Sequence, residues 1–140
     1  MKLDEIVNKY DVDYTKNLIV ESQIGEIESA LEVKIGVDLK EYILKYGYLG
    51  YEYVEFYGIY SNMLLKSDMV TQTQYLHKYF AKTISYIALE NLGEGEYAVV
   101  DSNDRVYVYI SELDQIKDLN KSVFDYINSR FEEVLLNYGL

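Results

Sequence analysis

The stretch that decides the fold runs from Ile84 to Ile110: Ile84-Ser85-Tyr86-Ile87-Ala88-Leu89-Glu90, Asn91-Leu92-Gly93-Glu94-Gly95, Glu96-Tyr97-Ala98-Val99-Val100-Asp101, Ser102-Asn103-Asp104, Arg105-Val106-Tyr107-Val108-Tyr109-Ile110. Three runs rich in β-branched and aromatic residues alternate with two short connections of Gly, Asn, Asp and Ser. That pattern predicts three strands joined by hairpin turns. Connections this short can only join antiparallel neighbours.

Working outward, the periodicity changes to that of helices. Leu3, Ile6, Val7 and Tyr10 predict a short N-terminal helix, interrupted by the polar stretch from Asp11 to Asn17. Ile24, Ile27 and Leu31 predict a second helix, with Ser22 as its N-cap and a stop near Gly36. Asp38 and Glu41 have capping-box spacing, the helix they open turns Leu39, Tyr42, Ile43 and Tyr46 inward, and Gly47 supplies its stop. Tyr51 to Tyr57 alternates like a strand, and Ser67 to Phe80 predicts a helix with Met69, Leu76 and Phe80 on one side. Ser122 and Asp125 cap a final helix whose stripe is Val123, Ile127, Phe131, Val134 and Tyr138. This order is α+β: an antiparallel-dominated sheet of four or more strands packed by helices. Leu31, Leu39, Ile43, Phe56, Val99, Val108, Ile127 and Phe131 are the expected core.

Residues 1–140 fit a single domain, and no repeat or Gly/Ser linker divides them. The net charge is −11, from 24 acids against 13 bases. Such a balance disfavours nucleic acid and anionic membranes as partners and suits a basic protein, drawn in by long-range attraction. It also keeps a protein soluble with no partner at all. With no cysteine, disulfides, thiolate metal sites and thiol nucleophiles are excluded. The acids in Met1-Lys2-Leu3-Asp4-Glu5 stand where a signal peptide would be basic and then apolar, so the expected compartment is the cytoplasm. No apolar run approaches the roughly 20 residues of a membrane helix. Seventeen tyrosines accompany four phenylalanines and no tryptophan. Tyrosine is favoured at binding surfaces, and an AT-rich coding bias would raise it as well.

Catalytic and metal constellations are missing from the pattern. His77 is the single histidine, so neither a His cluster nor a Ser–His triad can be assembled, and it reads as structural. Asp11-x-Asp13-x-Thr15 has Lys16 where a calcium loop turns on Gly and Ser22 where the bidentate Glu belongs. Asp101-x-Asn103-x-Arg105 keeps Glu112 at the last position but offers a cation at the fifth and Val106 at the sixth. Gly93-Glu94-Gly95 is too short and too acidic to cradle phosphate. With this many acids some pair always lies close, so paired carboxylates carry no signal for a glycosidase. The expectation is a protein that is not an enzyme and holds no cofactor or metal.

What remains is a surface. Tyr53, Glu55 and Tyr57 alternate with Val54 and Phe56, and Tyr107 and Tyr109 alternate with Val106, Val108 and Ile110. If helices cover only the aliphatic face, tyrosines and acids line the open one; if helices cover both, the tyrosines are core. The candidate protein-binding residues are Glu52, Tyr53, Glu55, Tyr57, Glu94, Glu96, Asp101, Asp104, Tyr107 and Tyr109.

The punctuation of these elements resembles the SUKH superfamily, which includes bacterial immunity proteins and relatives of the fungal Smi/Knr cell-wall-synthesis regulators. The resemblance is carried by Ile24, Ile27-Glu28-Ser29-Ala30-Leu31, Gly36, Leu39, Tyr42-Ile43-Leu44 and Tyr46-Gly47. It continues through Phe56-Tyr57-Gly58, Val70 and Thr73, the Ile84–Ile110 stretch and Ser122-Val123-Phe124. Lys40 stands where the family usually has Pro, and Gly47-Tyr48 where it has Asn-Gly. The resemblance implies a SUKH-like core over about residues 24–136, with residues 1–23 as a helical extension. It also implies a function: binding and neutralising a cognate polymorphic toxin, often a nuclease. A non-enzymatic regulatory or scaffold domain related to the fungal regulators is the alternative.

Native-state ligands raise a melting temperature with the logarithm of their concentration. Calcium or zinc should therefore leave the thermal melt unmoved, and a dose-dependent rise with either would overturn the rejection of the two acidic loops.

Overall fold

Alternation in residues 96–110 builds the fifth and sixth strands of a seven-stranded antiparallel sheet whose order, β1-β2-β3-β4-β5-β6-β7, follows the chain. The structure is a computed structural model and describes residues 2–15 and 19–139; Lys16 of the first acidic loop lies outside them. The strands are β1 Asp13–Tyr14, β2 Leu49–Tyr51, β3 Val54–Phe56, β4 Ile87–Gly93, β5 Glu96–Val100, β6 Arg105–Ile110 and β7 Gln115–Ser122. The helices are α1 Leu3–Lys9, α2 Ile24–Leu31, α3 Val37–Tyr46, α4 Asp68–Tyr79 and α5 Val123–Asn137. The α+β class with an antiparallel sheet is as the periodicities predict.

Several boundaries differ from the sequence reading. Tyr51–Tyr57 is not one strand but a hairpin: Tyr51 pairs with Val54, and Glu52-Tyr53 form the turn. Glu52 takes a positive φ without the Asn or Gly that would have marked it. Ser22 does not cap α2, because Glu21–Gln23 form a 3₁₀ turn and the Gln23 side chain accepts from the Val20 amide at 2.8 Å. That helix ends at Glu32 with positive φ, well before Gly36, which instead opens α3. β4 starts at Ile87 rather than Ile84, since Ala81–Thr83 form a further 3₁₀ turn. β7 was not anticipated: its Gln-Ile-Lys-Asp-Leu-Asn-Lys-Ser sequence is polar because it is the outer edge, where lysines discourage further strands from pairing.

The larger core lies on one face of the sheet. Leu3 and Ile6 of α1, Ile27 and Leu31 of α2, Leu39, Tyr42 and Ile43 of α3, and Ile127, Phe131 and Val134 of α5 close over Leu49, Phe56, Leu89, Val100 and Val106. A smaller cluster on the opposite face joins Leu76 of α4 to Ala88, Val99 and Tyr109. α4 belongs to both, since Met69 and Val70 enter the larger core. It also satisfies the backbone of β4, whose Ala88 amide donates to Thr73 Oγ1 at 2.9 Å. Of the expected core residues, Val108 alone is only half-buried; its cross-strand neighbour is the exposed Lys117 of the edge strand.

Inside the larger core sits a fully buried carboxylate, Glu90 of β4. The Arg130 guanidinium grips it with Nε–Oε1 at 3.0 Å and Nη2–Oε2 at 2.8 Å, and the Tyr126 hydroxyl donates to Oε1 at 2.6 Å. Burial, then Glu90, pushes the Tyr126 hydroxyl far above its ordinary range. α5 is thus tied to the middle of the sheet by charge as well as by packing.

Phe131 touches Phe56 and Tyr51, with ring centroids at 5.8 and 6.4 Å. Phe131→Ala should cost about 3–5 kcal/mol in denaturant melts, the range for a buried aromatic. A loss below about 1 kcal/mol would contradict the packing described for α5.

Candidate functional site

Antiparallel strands put successive turns at alternate ends of a sheet, and this divides the candidate binding residues. Glu52 and Tyr53 in the β2–β3 turn, and Glu94 and Glu96 around the β4–β5 turn, share one end with the β6–β7 turn. Asp101 and Asp104 lie in the β5–β6 turn at the other end, about 20 Å away along β6. They do not form one patch.

The tyrosines on the intervening face are not open to solvent as an uncovered sheet would leave them. Phe80 lies over Tyr109 with ring centroids 5.3 Å apart, and Leu76 packs beside it, so Tyr109 is fully buried. Its hydroxyl donates to Asp114 Oδ1 at 2.7 Å; burial, then that carboxylate, holds its pKa up to about 12. Tyr107 is half-buried against Tyr86 at 5.2 Å and donates to Asp101 Oδ2 at 2.9 Å, and burial again comes first in pushing it up to about 12. Tyr57 is half-buried between the two clusters, its carbonyl accepting from the Tyr42 hydroxyl at 2.7 Å. Expecting an exposed tyrosine stripe fails at Tyr109 because α4 and the turn after it deliver Leu76 and Phe80 onto that face.

Two of the acids serve the fold. Asp104, at positive φ, accepts the Asp38 amide on Oδ2 and the Leu39 amide on Oδ1, both at 3.0 Å, and its carbonyl accepts the Val123 amide at 3.1 Å. It therefore caps α3 from across the molecule and anchors the first turn of α5. The local capping box is not used, because α3 begins at Val37 with Gly36 in the N-cap position. Gly36 leaves the carboxylate room there: a Cβ would overlap the Asp104 carboxylate and displace it. Asp38 sits among Asp104, Glu41 and Asp125, and its carboxyl is raised by burial first and by those charges next. Asp101 Oδ1 accepts the Asn103 and Arg105 amides at 2.9 and 3.0 Å and so shapes its own turn. His77 is structural in the same sense, its Nε2 lying 2.8 Å from the Tyr86 carbonyl.

Glu52, Tyr53, Glu55 and Glu94 are exposed and Glu96 is half-buried. At the hairpin end the fold adds neighbours that sequence reasoning missed. Tyr138 packs on Tyr53 at 6.2 Å, Asn137 Nδ2 donates to the Tyr53 hydroxyl at 2.6 Å, and Glu112 and Leu113 project from the β6–β7 turn. Tyr138 carried a misleading signal, since its spacing placed it on the α5 stripe, yet it caps the helix and is 52% exposed. Glu52, Glu94, Glu96 and Glu112 have no ion-pair partner among the described residues.

Across residues 3–132 the chain matches the profile of the SMI1-KNR4 cell-wall family, nearly its whole length. The chain is a SUKH-superfamily domain. A search of curated proteins finds no match to it. Among its described residues, no group of three or more His, Asp or Glu side chains is placed to hold a metal ion. Among the described residues of this SUKH domain, no helix is long and apolar enough to cross a membrane.

The two kinds of acid separate in a denaturant melt. Asp104→Ala leaves two helix-end amides without their cap and should cost about 2 kcal/mol. Glu94→Lys, on an exposed turn, should stay within about 0.5 kcal/mol of the parent. Equal effects would contradict the distinction.

Proposed function

We propose that this SUKH domain is an immunity protein: it binds a cognate polymorphic toxin in stoichiometric complex in the cytoplasm and neutralises it without turnover. The observation that carries the reading is the acidic hairpin end, where Glu52 stands beside the exposed rings of Tyr53 and Tyr138 and Glu94, Glu96 and Glu112 lie on neighbouring turns of the same sheet end, none with an ion-pair partner among the described residues. Unpaired acids on a rim speed association with a basic partner through steering, and tyrosines at its centre slow dissociation. Family membership supports the same reading, since SUKH relatives include toxin-immunity proteins. The −11 charge fits a basic toxin, and nucleases are the class it suits best, because a protein that grips nucleic acid carries a basic face. The family's description as cell-wall favours a second reading, a regulatory or scaffold domain with no toxin partner.

A large secreted polymorphic toxin encoded beside this gene supplies the test. Co-expression should protect cells, and purified components should form a complex of fixed stoichiometry. Glu52→Lys with Glu94→Lys should lower the association rate about tenfold at low ionic strength and flatten its salt dependence. Tyr53→Ala should raise the dissociation rate, with the melting curve unchanged. Failure of the parent protein to protect, or absence of such a toxin across related genomes, would favour the scaffold reading.

A further inference from the structure

The helix that buries Tyr109 brings a new aromatic surface with it. α4 turns Met69, Val70, Thr73 and Leu76 into the fold, and those four complete its buried stripe. Tyr75 and Tyr79, one turn apart on its flank, take no part in that stripe and are 43% and 59% exposed. Their ring centroids lie 5.0 Å apart, and Tyr75 also meets the half-buried Phe80 at 6.2 Å. On the sheet below, Tyr97, Tyr109 and Ile116 form one cross-strand row of β5, β6 and β7. Tyr97 is half-buried, and its hydroxyl is raised by burial first and by the nearby Tyr75 next. The flank of α4 and this row together make a continuous aromatic shelf.

The shelf runs up to the hairpin end. Its row lies one step inside the level where Glu96 pairs with Ile110, next to the β4–β5 and β6–β7 turns. Lys82 Nζ, just beyond α4, donates to the Asp114 carbonyl at 2.7 Å and ties the shelf to the β6–β7 turn, where Leu113 is 58% exposed. On those two turns stand the exposed Glu94 and Glu112, with no ion-pair partner among the described residues. A single exposed ring is ordinary surface, whereas a contiguous apolar patch with a polar rim marks an interaction site. An aromatic centre beside a charged rim is also the anatomy of a protein–protein interface. Charge then selects the occupant. Of the two lysines beside the rings, Lys78 lies over Tyr79, 5.3 Å from its centroid, and Lys82 is held by Asp114, so the acids at the turns face outward uncompensated. A second copy of the chain would bring its own Glu94 and Glu112, and a further net charge of −11, against them. A basic protein surface is complementary.

We propose that this shelf is a docking surface for the basic protein partner: an apolar side chain of the partner seats on Tyr75, Tyr79 and Tyr97, and arginines or lysines beside it meet Glu94 and Glu112. The proposal rests on the reading that the chain binds a basic protein, and it gives that interface an apolar centre on the α4 side of the sheet.

The test titrates acetyl-Arg-Leu-Arg-Leu-Arg-amide into ¹⁵N-labelled full-length protein, with acetyl-Arg-Gly-Arg-Gly-Arg-amide and acetyl-Glu-Leu-Glu-Leu-Glu-amide in parallel. Saturable shifts should centre on the amides of Tyr75, Tyr79, Tyr97 and Leu113 with the first peptide. The glycine peptide should need a concentration at least about fivefold higher, and the acidic peptide should give no saturable shift. Tyr75→Ser with Tyr79→Ser should raise the half-saturation concentration of the first peptide at least about fivefold. Glu94→Gln with Glu112→Gln should raise it less and flatten its salt dependence. Melting curves confirm that each variant is folded, and since all four side chains are exposed, one pair suffices if the other is lost. No saturable binding, equal response to the three peptides, shifts centred elsewhere, or unchanged binding by the folded variants would overturn the proposal. So would a parent protein that sediments as a dimer and becomes monomeric with Tyr75→Ser and Tyr79→Ser, which would give the shelf to a second copy. In the protection assay, full survival with Tyr75→Ser and Tyr79→Ser but not with Glu52→Lys and Glu94→Lys would also overturn it, leaving the immunity reading intact. Should the parent protein itself fail to protect, the immunity reading falls while the peptide titration still decides this surface.

Discussion

The carboxylate of Asp104 holds together parts of the chain that have no other reason to meet. A four-residue excursion between β5 and β6, Asp101 to Asp104, places it at the N-terminus of α3, 66 residues earlier in sequence, where it accepts two amides. Its carbonyl takes the first amide of α5. A helix start leaves amides without partners, and a negative charge there also meets the positive end of the helix dipole. One residue thus fixes the distance between the sheet's end and two of the helices that cover it. A side chain at Gly36 would have to push the Asp104 carboxylate off this cap.

Glu90 shows the same economy in the interior. A buried carboxylate is tolerable only when its charge and lone pairs are matched, and Arg130 and Tyr126 match it. Removing one partner would strand a charge in the core, typically a loss of several kcal/mol, whereas an apolar replacement of the whole group could be neutral. What the group contributes is position: a guanidinium fork has one good geometry on a carboxylate, so α5 sits at one rotation and one height over β4.

With those acids committed to the fold, the remaining negative charge becomes more informative. The hairpin end keeps acids that have no ion-pair partner among the described residues, with accessible tyrosine rings at the β2–β3 turn. A few acids elsewhere meet bases: Asp118 with Arg105 at 2.8 Å, Asp4 with Lys45 at 2.8 Å, Glu133 with Arg130 at 2.7 Å. Unpaired negative charge is costly in the free protein and useful in a complex with a basic partner.

The amino-acid sequence alone determined the class of fold and most of its elements, because period-two and period-3.6 patterns arise from local geometry that each segment carries within itself. The α5 cap at Ser122, the stop at Gly47 and seven of the eight expected core residues follow from such local signals. Tertiary structure decided the rest. That Asp104 caps a distant helix, that Glu90 finds Arg130, and that Phe80 covers Tyr109 are contacts between residues 29 to 66 apart, between elements whose docking no local pattern encodes. Alternation could say that Tyr107 and Tyr109 share a face of the sheet. Only the path of α4, set by where its two ends pack, decided which of those tyrosines meets solvent and which is core.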